Sequence, residues 1–247
     1  MLTLADKLLA LLIVFGLPLR AWYGMRRLNA VPPAEVPALR PRLWRRAILS
    51  QWILVALVLA AWLAAHRSLA VLALPLKPTT GLAGVMVGLV TIVIIVLRQR
   101  GAVDTDESIR RRIRERLAPV ARLMPSQASD FRLFAALACT AGLCEEFLFR
   151  GYLAWVAGLL LPFPLAPAAQ ALVFGICHAY QGWRGIVLTT FAGAFLTAVV
   201  LLTGSLWPAI LVHALMDLHA GDLARRVFPR DAEPGTGPRP VLRTGAP

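Results

Sequence analysis

Apolar residues fall along this chain in long runs separated by shorter, basic stretches, and that alternation predicts helices that cross a bilayer. A spanning helix needs about 20 mostly apolar residues. Such runs cover residues 8–19, 48–65 and 82–97 in the N-terminal part. The first is short enough to resemble the apolar core of a signal peptide, yet no small-x-small cleavage site follows it, so it reads as a span. In the third, Gly84 and Gly88 form a GxxxG pair able to bring another helix close. Residues 133–161 form a run too long for a minimal span, reaching roughly 43 Å as one helix. It is either a single tilted helix or one bent near Gly151. Pro162, Pro164 and Pro167 then interrupt the chain, and further runs follow at 165–180, 186–202 and 206–218. The expected fold is an all-α, polytopic membrane helical bundle with about seven transmembrane helices, six to eight in range.

Between the third and fourth runs lies a polar stretch, residues 98–132. Asp104 or Thr105 can cap a helix there in which Ile109, Ile113, Leu117 and Val120 recur at three-to-four spacing while Arg110, Arg111, Arg112, Arg114 and Arg116 fill the other face. The pattern suits a helix on an anionic leaflet or a solvated linker. The chain thus divides into an N-terminal three-helix membrane unit (1–97), a basic linker (98–132), a second membrane unit (133–220) and a tail (221–247). Pro, Gly and Arg dominate that tail without apolar periodicity, which predicts disorder.

Composition narrows the class. Hydrophobic residues make up 58% of the 247 and charged residues 16%, against roughly 45–50% and 25% in soluble domains. The excess apolar surface needs lipid. The net charge of +13 comes from blocks between apolar runs, which marks cytoplasmic loops rather than a nucleic-acid surface. Arginines at 20–46 and 98–122 are therefore expected on the cytoplasmic side, and the loop with Arg67 and Lys77 outside. Cys139, Cys144 and Cys177 lack metal-ligand or disulfide spacing and read as small core residues.

Ionisable groups inside apolar segments are costly and mark function by default. The C-terminal half carries Glu145, Glu146 and Arg150 in CEEFLFRG, His178 in FGICHAY, and His213 with Asp217 in HALMD. Glu146 and Arg150 are four apart and able to pair, whereas Glu145 is rotated by about 100° and left free. Phe174 and His178 share a face, as do His213 and Asp217, so Asp217 can orient the imidazole or join the site itself. Any one of these groups alone is compatible with packing. Together, on separate helices, they exceed what packing requires, because each must be desolvated.

These residues resemble the family of CAAX-processing and bacteriocin-immunity membrane proteases, the CPBP or Abi group, whose pattern is EExxxR, then FxxxH, then HxxxN or HxxxD. The resemblance covers about residues 133–220. It implies an intramembrane endopeptidase in a multi-pass protein, expected in a bacterial inner membrane, with the site open to the cytoplasmic side and a membrane-anchored protein or peptide as substrate. Glu145 would act as general base, His178 and His213 would hold water or the oxyanion, and Glu146 and Arg150 would brace the site. Asp217 departs from the asparagine usual in the prenyl protease. No tightly bound cofactor is implied, although two histidines and a carboxylate could hold zinc. An immunity or interaction protein of the same fold and a proton-coupled transporter are the rival readings.

Overall fold

The computed structural model describes residues 1–74 and 80–228, except the side chains of residues 80–87 and 91. Eight helices are present among the described residues. We number them α1 (Leu4–Ala30), α2 (Pro33–Ala64), α3 (Thr80–Thr105), α4 (Glu107–Leu117), α5 (residues 128–160), α6 (Leu165–Cys177), α7 (Trp183–Thr203) and α8 (Leu206–Val227). The all-α class agrees with the sequence, but the span count does not. Among the described residues only α1, α2 and α7 are long and apolar enough to cross a membrane, so the expectation of six to eight spans is corrected to three. The reason lies in the other helices. With 13 residues, α6 reaches about 20 Å, short of the roughly 30 Å hydrocarbon layer. Helix α5 carries Asp130, Arg132, Glu145, Glu146 and Arg150, and α8 carries Asp217, Asp222, Arg225 and Arg226.

The run over 133–161 is one continuous helix whose middle, Phe147–Leu153, is wound as a π-helix. All seven residues of that wide turn are buried. Phe147, Leu148, Phe149, Tyr152 and Leu153 meet Ile13 of α1, Leu54, Val58 and Trp62 of α2, and Phe174 of α6 in one apolar cluster. Single π turns inside α-helices commonly mark functional positions, and here the wide turn begins directly after the two glutamates. Helix α8 crosses α5 closely at Gly142, where a Cβ would stand 2.9 Å from the Ile210 carbonyl oxygen and 3.0 Å from Ala214. A side chain at 142 would push the two helices apart.

Several local expectations shift. Asp106, rather than Asp104 or Thr105, caps α4 by accepting from the Ser108 and Ile109 amides. The apolar face of α4, Ile109, Ile113 and Leu117, packs on Val103, Leu223 and Val227. It is therefore covered by protein, while Arg111, Arg112 and Arg116 remain exposed. Val120 leaves that stripe and joins Met25, Leu28 and Val36, because the helix ends at Leu117 before Pro119. A Cβ at Gly88 would meet nothing within 4 Å among the described residues, so this half of the GxxxG pair makes no close helix contact with them. Cys144 and Cys177 are buried, but Cys139 is exposed. Residues 221–227, expected in the tail, complete α8, with Asp222 held by Arg100 and Arg225 at 2.7 and 2.6 Å. Residues 229–247, expected to be disordered, and Lys77 lie outside the described residues.

Candidate active site

Helices α5, α6 and α8 bring the sequence-selected residues together, from buried Glu146, Arg150 and His213 to partly exposed Glu145, His178 and Asp217. Glu146, with no side-chain exposure, accepts from Arg150 Nη1 at 2.8 Å across one helical turn. Arg150 Nη2 donates to the Gly193 carbonyl of α7 at 3.0 Å, and its guanidinium lies 4.1 Å from the centre of the Phe174 ring. Position 193 has to be small, because a Cβ would stand 3.0 Å from that ring and 3.2 Å from Arg150 Nη2.

The same Glu146 oxygen lies 2.7 Å from His213 Nδ1. A carboxylate accepts, so Nδ1 carries the proton and Nε2 faces the other way. This alters one reading from the sequence: Glu146, not Asp217, holds the His213 ring. On the Nε2 side stand Glu145 Oε2 at 3.9 Å and Asp217 Oδ2 at 3.8 Å. Both are too far for a direct hydrogen bond and suited to a bridging polar atom. Side-chain exposure rises across the set, from 0% for Glu146 and Arg150 to 19% for Glu145 and 43% for Asp217.

His178 caps the end of α6. Its Nδ1 lies 2.8 Å from the Phe174 carbonyl oxygen, which can only accept, so Nδ1 carries the proton here too. Its ring lies 4.9 Å from that of Phe174, which in turn meets His213 edge-on at 5.9 Å. Phe174 therefore separates the two imidazoles and fixes both. Each Nδ1 is committed, which leaves Nε2 as the free ring nitrogen; among the described residues no group of three or more His, Cys, Asp or Glu is arranged to hold a metal ion.

Sequence reasoning missed Gln51. It lies in the apolar run of α2, and its Nε2 donates to Glu145 Oε1 at 3.3 Å. Only its polarity inside an otherwise apolar segment could have revealed it, and attention to ionisable groups passes over an amide.

A family model described as "Type II CAAX prenyl endopeptidase Rce1-like" matches residues 127–219. That stretch contains all six site residues selected from the sequence, and over it the chain is similar to the CAAX-protease superfamily. No curated protein and no solved structure matches the chain.

Proposed function

We propose that the chain is a membrane-associated endopeptidase that hydrolyses a peptide bond in a membrane-anchored protein or peptide, with Glu145 as general base. The reading rests on one observation: Glu146 is fully buried with one oxygen shared by Arg150 and His213, whereas Glu145 Oε2 and His213 Nε2 face each other at 3.9 Å with Asp217 beside them. A water donating one proton to each would present its lone pair outward to a scissile carbonyl. Glu145 takes the proton as the water oxygen bonds to the carbonyl carbon, then delivers it to the amine as the C–N bond breaks. Both rings carry Nδ1–H, so Nε2 is the working nitrogen of each: without a proton it accepts from the water, and with one it donates to the oxyanion. Glu146 and Arg150 brace His213 and touch no reacting atom.

Trp22 and Tyr23 on α1 are exposed beside Arg26 and Arg27, whose guanidiniums lie 5.3 and 5.1 Å from the aromatic ring centres. Aromatic and basic residues together favour a membrane–water boundary on the basic, cytoplasmic side, and we assign the substrate entrance to that side. The test is incubation of the full chain in proteoliposomes with a farnesylated C-terminal CAAX peptide and with an unprenylated transmembrane peptide, reading products by mass spectrometry. Glu145-dependent cleavage of either peptide supports the reading and assigns the substrate type. Cleavage that persists in Glu145→Gln contradicts it.

A further inference from the structure

Gln51 stands on the most apolar part of α2, outside residues 127–219 and in a helix otherwise fit for lipid. Its Oε1 is buried and has no hydrogen-bond partner among the described residues. A buried acceptor without a partner costs stability, and an apolar side chain of the same length would remove that cost. Gln51 is thus unfavourable for the fold and, among the described residues, is compensated only by the hydrogen bond to Glu145 Oε1.

We propose that Gln51 is a positioning residue, supplied by the N-terminal unit, that holds Glu145 Oε1 and so presents Oε2 to His213 Nε2. The geometry is specific. Glu145 has two oxygens: one takes the Gln51 amide at 3.3 Å and the other faces the imidazole at 3.9 Å. Without the amide, the carboxylate is free to rotate about its terminal torsion, which is broad and roughly two-fold. The ordered pairing of one oxygen with the imidazole is then lost. The N-terminal helices, by this inference, complete the site as well as anchoring it. The functional part of the proposal rests on the endopeptidase reading above; the hydrogen bond itself does not.

Two measurements separate these layers. In full-length protein, the infrared carboxyl band that disappears in Glu145→Gln should shift in Gln51→Met; an unshifted band overturns the proposal whether or not the chain is a protease. With a farnesylated CAAX peptide as probe, Gln51→Met should lower kcat by about 10–100-fold, the value of one hydrogen bond to a charged group, with KM unchanged and the melting temperature unchanged or raised. Gln51→Glu, which keeps length but offers no amide donor, should not restore kcat. In a Glu145→Gln background, Gln51→Met should add no further loss of residual turnover. A normal kcat in Gln51→Met, or a fall in melting temperature that accounts for the loss, overturns the positioning role. Full turnover in Glu145→Gln would instead remove the endopeptidase reading and leave the band shift to decide.

Discussion

Two arginine–carboxylate pairs meet α5 within a few residues, one brought against Tyr152 and Trp155 from other elements and one on the helix itself at Glu146 and Arg150, and they are built differently. In the first, Asp6 accepts from Arg67 through both oxygens at 2.8 and 2.6 Å and from the Thr3 amide and hydroxyl at 2.7 and 2.8 Å. Tyr152 donates to the Asp6 carbonyl at 2.9 Å, and Arg67 lies 5.2 and 4.5 Å from the Trp62 and Trp155 rings. In the second, Glu146 Oε2 and Arg150 Nε have no partner among the described residues, and the network continues through His213 to the partly exposed Glu145 and Asp217. The first pair is saturated and joins α1, the turn after α2, and α5. The second is unsaturated and leads outward to groups with spare hydrogen-bonding capacity. Burial of the carboxylate does not by itself set its purpose; what separates the two is whether the carboxylate's oxygens are all engaged.

That contrast breaks most easily at Arg150. Arg150→Met leaves Glu146 charged and buried, and a broken buried pair costs about 3–5 kcal/mol; the expected outcome is a large fall in melting temperature with loss of turnover. Replacing Arg67 by Met should cost about 1.5–3 kcal/mol, as for hydrogen bonds to a charged group, while kcat per folded molecule stays at the wild-type value. A kcat that fell in proportion for both variants would erase the distinction. His178→Leu should lower kcat by about 10²–10³-fold, and His178→Gln, whose amide is a permanent donor, should recover part of it.

Asp217→Asn should change kcat by less than about tenfold, equivalent to 1.4 kcal/mol, because His213 is held from its other side by Glu146; a larger loss would make the Asp217 charge part of the chemistry. The smallest effect concerns the far end of α8. Burial pushes the Asp222 carboxyl up, but hydrogen bonds from Arg225 and Arg226 outweigh it and hold the group below the ordinary carboxylate range. Its stabilising contribution is complete above the unfolded value of about 3.9 and is lost as pH falls through the depressed folded value. Melting curves of Asp222→Asn should therefore converge on the wild type only at strongly acid pH.

The site was more legible in the sequence than the membrane architecture, for a physical reason. The i,i+4 spacing of Glu146 with Arg150 and of Phe174 with His178 fixes neighbours within one helix, and the observed contacts at 2.8 and 4.9 Å follow from it. Contacts between helices are not encoded that way. Glu146 reaches His213 and Gln51 reaches Glu145 across separations of 67 and 94 residues, which no local period reveals. Span counting failed because apolar bulk over 133–161 outweighs the charges that make this helix a buried carrier of polar groups. The stripe Ile109, Ile113, Leu117 was visible as periodicity, but what covers it, Val103, Leu223 and Val227, depends on how α3 and α8 end. Asp6 sits before the first apolar run and pairs with Arg67 across 61 residues, so it had no local signal.

A side-by-side comparison of Glu145→Gln and Glu146→Gln in the same proteoliposomes separates the two adjacent glutamates most directly, reading melting temperature and peptide turnover per folded molecule. Glu145→Gln should melt like the wild type and lose turnover by about 10²–10⁴-fold, the range for a general base, whereas Glu146→Gln should melt earlier and keep measurable turnover once corrected for the folded fraction. Full turnover in Glu145→Gln, or the same loss of stability in both variants, would contradict the division between a glutamate that reacts and a glutamate that holds.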